Sequence, residues 1–286
     1  MKNIDIEKWI TDSPNDKEKA FRRAIHIILL AISNSPDLRA QMLFHGGLLM
    51  ALKYKGVRHT TDLDFATKNK FVDVDTNYFL KELEKRLTDA SEIPPYGMAC
   101  KIQSHKIKPL GENKNFQTLE INVGYAYKDG PNYRRLLNKN CTNIIKIDYS
   151  YNEINQKIDI LEFSKNNNIK AYSLSDFVAE KYRAIIQQKT RNRNRRQDVF
   201  DIYWLIKNNL LIGNNIKNRI LKSFLIKSAS RNLAVNKLIL RDEDIIKRSK
   251  TEYDSLGQEI NIDLPMFKDI YKIVQEYYES MPWKPA

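Results

Sequence analysis

The chain is poor in the residues that staple small folds or ligate zinc. Two cysteines, Cys100 and Cys141, in 286 residues fit neither a disulfide framework nor a zinc site, and the four histidines, His26, His45, His59 and His105, are scattered. No uninterrupted apolar run approaches the roughly 18 residues of a membrane span. The opening segment MKNIDIEKWITDSPND is charged throughout and lacks the apolar stretch of a secretory leader. No internal repeat is present. These absences exclude a disulfide scaffold, a zinc module and a helical membrane span. They set the expectation of a soluble chain in a reducing cytoplasm, with no membrane partner.

What is present reads as an ordinary folded protein. Hydrophobic residues at 42% and charged residues at 29%, with a mean hydropathy of −0.55, argue against global disorder. The length exceeds the roughly 100–200 residues of one domain, so two domains are expected. Forty-eight Lys and Arg against 35 Asp and Glu leave +13, a surplus that favours a polyanionic partner such as nucleic acid or a nucleotide. A Lys- and Asn-rich coding bias would produce the same surplus.

Periodicity divides the chain near 160–170. KEKAFRRAIHIILLAISN (17–34) places Phe21, Ile25, Ile28 and Leu29 at helical spacing and predicts an amphipathic helix ended by Ser35-Pro36. A Gly pair then opens a second helix in GGLLMALKYKG, with Leu48, Leu49, Ala51 and Leu52 near its apolar face. TTDLDFAT predicts a strand, Asp75 to about Leu87 a helix, and FQTLEINVGYAY (116–127) and NIIKIDYSY (143–151) further strands. SKNNNIK (164–170) reads as a loop. Beyond it, SLSDFVAEKYRAIIQQ, DVFDIYWLIKN, NIKNRILKSFLIKSAS and MFKDIYKIVQEYYESM are helical. The expectation is an α+β first half, 1–165, and an all-α second half, 166–286.

Within the strand VRHTTDLDFAT, Asp62 and Asp64 project from one face while Leu63 and Phe65 face the core. Adjacent carboxylates repel unless a divalent cation neutralises them, and phosphoryl-transfer enzymes hold Mg²⁺ against a nucleoside triphosphate in this way. Two solvated aspartates on an exposed strand would look the same. A second pair, Asp73 and Asp75, precedes a helix, where an N-cap explains it without a metal. The first pair is distinguished by Gly46-Gly47 a short way upstream, since N–H groups at a Gly-rich helix entrance can cradle phosphate. A third carboxylate on a neighbouring strand has two candidates, Asp148 and Glu120, which alternation alone does not separate.

Ser173-Leu-Ser-Asp176 resembles a capping box. On the helix it opens, Lys181 interrupts the apolar stripe of Phe177, Ala184 and Ile185, either snorkelling past the core or meeting an anion. Arg191, Arg193, Arg195 and Arg196 form a basic run suited to nucleic-acid phosphates or to a solvated loop. Asp198 and Asp201 follow at i and i+3 on one helix face, Asp198 in a first turn that the helix dipole favours for acids.

These segments together carry a family pattern. GGLLMALKYKGVRHTTDLDF resembles the Gly-Gly-Thr…Arg-x-Ser/Thr-x-Asp-Leu-Asp-Phe signature of the AbiEii/AbiGii toxin nucleotidyltransferases, and IKIDYS and AEKYRAIIQQ…RRQDVFDIYWL resemble that family's Asp strand, Lys helix and Arg-Asp-x-x-Asp helix, in the same order over residues 40–206. The resemblance implies a DNA polymerase β-like nucleotidyltransferase domain followed by an all-α domain. It implies triphosphate contacts from Gly46 and Gly47, with Arg58 and Thr60 matching the positions before the acid pair. It makes Asp62 and Asp64 metal ligands, prefers Asp148 over Glu120 as third acid, sets Lys181 on the nucleotide phosphates, and leaves Asp198 or Asp201 to complete the site. Leu48 departs from the usual Thr or Ser after the Gly pair, and Gln197 from the Arg before Asp198.

The activity implied is that of a Mg²⁺-dependent toxin of a type IV toxin–antitoxin system linked to abortive infection and phage defence. It would move a nucleoside monophosphate from an NTP to RNA, above all the 3′ end of tRNA, and block translation. The antitoxin would be encoded nearby and form no obligate complex. The alternatives are nucleotidylation of a protein or small molecule such as an antibiotic, or a non-catalytic nucleotide- or RNA-binding module.

Overall fold

The computed structural model describes residues 2–111 and 114–284; the expected domain limits at 1 and 286 lie outside them. The chain divides into two compact units, one comprising Met1–Leu52, Thr61–Glu153 and Ile158–Ala171, the other Lys53–Thr60, Ile154–Lys157 and Tyr172–Ala286.

The first unit is built on an eight-stranded mixed sheet. Its strands are β1 (Lys2–Asn3), β2 (Leu43–His45), β3 (Asp62–Ala66), β4 (Met98–Lys108), β5 (Thr118–Tyr127), β6 (Ile144–Ser150), β7 (Ile158–Ser164) and β8 (Asn167–Tyr172), in the order β1-β7-β8-β2-β3-β6-β5-β4. The central pair β3 and β6 is parallel, while β2 and β5 run antiparallel to it on either side. Alternation fixes the faces: Leu63 and Phe65 of β3, Ile145, Ile147 and Tyr149 of β6, and Leu119, Ile121 and Val123 of β5 are buried together.

Helices α1 (Ile6–Thr11), α2 (Asp16–Ser33), α3 (Pro36–Gln41), α4 (Gly46–Tyr54), α5 (Thr76–Ala90) and α6 (Tyr133–Leu137) accompany the sheet. Asp75 is the N-cap of α5, accepting from the Tyr78 N–H, which gives this member of the second Asp pair a structural role. Phe79 of α5 stacks on Tyr149 of β6 at 4.9 Å between ring centroids, seating the helix on the apolar face. The expected amphipathic helix, α2, is amphipathic only in its first half. From Ala24 to Ser33 every residue is buried, because HIILLAIS has no polar side to turn toward water.

Five strands went unanticipated, among them the short β1 and β2. β4 carries the mixed sequence SHKIK along the sheet edge, and β7 and β8 form a hairpin that includes most of the supposed loop SKNNNIK. Only Lys165 and Asn166 turn the chain there, Asn166 at φ +69°. Asparagine tolerates that conformation, so the Asn run marks the turn while Ile169 and Ala171 pack inside.

The second unit contains α7 (Leu174–Arg191), α8 (Arg196–Lys207), α9 (Asn214–Ala229), α10 (Glu243–Lys250) and α11 (Phe267–Glu279), and beyond Tyr172 its described residues form helices, 3-10 turns and loops, with one isolated bridge from Ile260 to Arg58. Ser173 caps α7 as expected, accepting from the Asp176 N–H. Asp176 does not complete the capping box. Its fully buried carboxylate accepts from the Gln156 and Lys157 N–H groups and from the Ser173 and Ser223 hydroxyls, tying 154–157 to α7 and α9.

Candidate active site

Strand β2 ends at His45, opposite Asp64 of β3, and the chain turns at once into α4. Gly46 makes that turn at φ +76°, with its Cα against the aspartate. A Cβ built there would lie 1.8 Å from Asp64 Oδ2 and 2.7 Å from Asp64 Cβ. Glycine is therefore required twice over, by backbone conformation and by contact with the carboxylate. Gly47 follows, half-buried, while Leu48 is packed in the core, so the position where the family pattern has a hydroxyl serves packing here.

The acids align through sheet register. Asp64 pairs with Asp148 across the parallel β3–β6 ladder and Asp62 with Lys146, so Asp62, Asp64, Lys146 and Asp148 form a two-by-two block on one face. Glu120 lies one strand further out, opposite Asp148. Lysines surround Glu120: Lys108 at 3.0 Å, Lys106 at 3.1 Å and Lys146 at 3.8 Å. Burial opposes its ionisation, but hydrogen bonds from Lys108 and Lys106 and the charge of Lys146 hold its pKa below the usual range. Lys146 Nζ donates to Asp148 Oδ2 at 2.8 Å. Burial lowers the lysine pKa, and the bond to Asp148 with the charges of Asp148, Glu120 and Asp62 outweighs it and raises the value.

The donor set suits a hard cation. Asp62, Asp64 and Asp148 offer carboxylate oxygens, and Asp148 Oδ1 is buried with no hydrogen-bond partner. With the side chains as they stand, no three His, Cys, Asp or Glu residues among those described are close enough to hold a metal ion.

The second unit gathers a different set. Lys181 on α7 is buried and donates to Asp198 Oδ1 at 2.9 Å and Asp201 Oδ2 at 2.7 Å, both on α8. It neither snorkels nor projects into solvent. Arg58 Nε and Nη2 reach the two Asp201 oxygens at 3.4 Å each, and its Nη1 lies 3.7 Å from Glu259. Burial would neutralise Asp201, yet Arg58 and Lys181 hold its pKa below the usual carboxylate value; burial would likewise neutralise Lys181, yet Asp198 and Asp201 raise it. Asp198 Oδ2 is 3.6 Å from Arg195, an ion pair too long for a hydrogen bond.

The four arginines of the basic run divide. Arg191 and Arg193 are exposed, whereas Arg195 pairs with Asp198 and Arg196 with Glu252 and Glu259 at 3.2 and 3.3 Å. Thr60 is half-buried at the end of the 53–60 segment. Sequence reasoning missed two participants. Lys146 was legible, two residues before Asp148 on the same strand face. Glu259, which receives both Arg58 and Arg196 and whose carbonyl accepts the His59 N–H, is distant in sequence and carries no local signal. A cavity of about 270 Å³, lined by Lys70, Phe71, Lys114, Phe116 and neighbours, contains none of the predicted acids.

A family model described as nucleotidyl transferase AbiEii toxin, type IV toxin–antitoxin system, matches residues 28–274. No curated protein matches. Among solved structures, MenT4, a nucleotidyltransferase toxin from Mycobacterium tuberculosis H37Rv, aligns with TM-score 0.58 and 12% identity over 98% of this chain and 90% of that one. JHP933 from Helicobacter pylori aligns with TM-score 0.54 and 15% identity over 93% of each chain. At such identities these two likenesses concern the fold.

Proposed function

Because the chain belongs to the AbiEii family of nucleotidyltransferase toxins of type IV toxin–antitoxin systems, we propose that it transfers a nucleoside monophosphate from an NTP to the 3′ end of tRNA and thereby blocks translation. The observation that carries this reading is the register of the sheet, with Asp62, Asp64 and Asp148 on one face of adjacent parallel strands and Gly46 pressed against Asp64.

The acceptor hydroxyl attacks the α-phosphorus, the bond to the pyrophosphate oxygen breaks, and the hydroxyl proton passes to Asp148, whose Oδ1 has no competing donor. Asp62 and Asp64, with Asp148, would hold Mg²⁺, which when bound supplies positive charge to the triphosphate. The N–H groups of Gly46 and Gly47 at the start of α4 are assigned to the triphosphate. For the helical unit, the resemblance supports roles for Lys181, Arg58 and Thr60 toward nucleotide phosphates and for Asp198 or Asp201 in completing the site, and the basic run of Arg191, Arg193, Arg195 and Arg196 supports contacts with RNA. With the expected boundary at 165 moved to Ala171 so that β8 stays in its sheet, the first part would be the catalytic domain and the rest the helical one, working in the cytoplasm under an antitoxin encoded nearby that forms no obligate complex.

The test incubates the protein with total tRNA, Mg²⁺ and each labelled NTP in turn, alongside Asp62→Ala. Label reaching tRNA from the wild type alone supports the proposal. Transfer to protein or a small molecule instead would replace the acceptor. Label from Asp62→Ala would refute the assignment of the acids. Binding of tRNA through six or more phosphates should weaken roughly 10³–10⁵-fold between 50 and 200 mM salt.

A further inference from the structure

Lys146 stands within the block of acids yet has no part in the transfer scheme. It stands beside Asp62 in register, 2.8 Å from Asp148 and 3.8 Å from Glu120. A partly exposed lysine on a flexible four-carbon stem can leave such contacts at small cost, since exposed pairs contribute only about 0–1 kcal/mol. While it stays, its positive charge takes up the Asp148 Oδ2 atom and sits within the block of acids assigned to the cation.

We infer that Lys146 is a built-in counter-cation, which neutralises the acid face before a divalent ion arrives and competes with that ion for it. The inference rests on the acids being the metal ligands. Two positive centres cannot share Asp148 without repulsion, which a few ångströms of separation make appreciable even in a partly solvated site. Lys146 therefore lowers divalent affinity and gives way when the ion, with its bound triphosphate, supplies the charge instead. Lys106 provides the contrast: it is on the same face but pairs with Glu120, not with the aspartates.

The experiment titrates Mn²⁺ into the protein without nucleotide, by calorimetry or by the loss of the free-ion electron paramagnetic resonance signal. It compares wild type, Lys146→Met, Lys146→Gln, Lys106→Met and Asp64→Asn, each checked for cooperative melting. Both Lys146 variants should bind Mn²⁺ about tenfold more tightly, on the order expected for removing a neighbouring unit charge. Lys106→Met should change affinity less than about twofold, because its strand, β4, lies two strands beyond β6 and its charge is paired with Glu120. Asp64→Asn should abolish binding. Unchanged or weaker binding in the folded Lys146 variants, with wild-type binding intact and Asp64-dependent, overturns the role of Lys146 and leaves the acid site standing. Absence of Asp64-dependent binding in every protein overturns the acid site, and the inference with it.

Discussion

On the sheet, Asp62, Asp64 and Asp148 stand half-exposed beside Lys146; in the helical unit, Asp198 and Asp201 are held by Lys181 and Arg58, two charges against two, with Lys181 and Asp201 buried. Burial accounts for the difference. A charge removed from water needs a partner of opposite sign, so the helical cluster is balanced and its atoms are committed to each other. Carboxylates that are only partly buried retain part of their hydration and can exchange it for a cation. The first arrangement can receive a ligand as it stands, whereas the second must open an ion pair before Lys181 or Arg58 can take up its proposed part toward a nucleotide phosphate.

The comparison breaks most visibly if the helical cluster is not structural. Asp201→Ala leaves Lys181 and Arg58 buried with less compensation, and a loss of about 3–5 kcal/mol in unfolding free energy is expected from urea denaturation. A loss under 1 kcal/mol would mean the cluster is poised for a ligand as the sheet acids are.

Acid should separate the two regions by window. His26, in the sheet unit, is buried with Nε2 lacking a partner and Nδ1 on the Tyr96 hydroxyl at 2.8 Å, and burial pulls its pKa from 6.5 to about 4. The unfolded chain takes up this proton near pH 6.5 and the native state only near 4, so stability falls as pH drops from about 6.5 to 4, by an amount on the order of 2–3 kcal/mol. Asp201 acts in the same direction but in a lower window. Its lowered pKa gives stability that is complete above about 3.8 and is lost as pH falls through the native value. Melting temperatures between pH 7 and 4 should therefore flatten in His26→Gln and keep their slope in Asp201→Asn.

Gly46→Ala sharpens the account of the acid face. The clash with Asp64 and the positive φ should cost about 1–3 kcal/mol and displace the carboxylate. The double variant with Asp64→Gly should be more stable than the sum of the two single losses predicts, since the clash then has no partner. Glu259→Gln is the smallest change: partly exposed pairs at 3.3 and 3.7 Å should yield about 0.5–1 kcal/mol by denaturation.

Periodicity made much of this legible. The faces of β3, β5 and β6, the cap of α5 at Asp75 and that of α7 at Ser173 follow from residues adjacent in sequence. Register does not: alternation places Glu120 and Asp148 on one face, but only the ladder sets Asp148 directly beside Asp64 and Glu120 a strand away among lysines. β4 and β8 stayed hidden because their polar residues sit at an edge or beside a turn, where a strand need not alternate strictly. The partners of Lys181 and Arg58 come from helix packing, and Glu259 lies some two hundred residues from Arg58 with nothing local to announce it.

The central claim, that the sheet acids serve chemistry rather than stability, is tested most directly in Asp64→Asn by measuring label transfer from NTP and the urea midpoint on one preparation. The account predicts transfer reduced by about 10²–10³-fold or more, from loss of charge stabilisation at the reacting phosphate, with the unfolding free energy derived from the midpoint unchanged within about 1 kcal/mol. Wild-type transfer, or a collapse of stability that accompanies its loss, would contradict it.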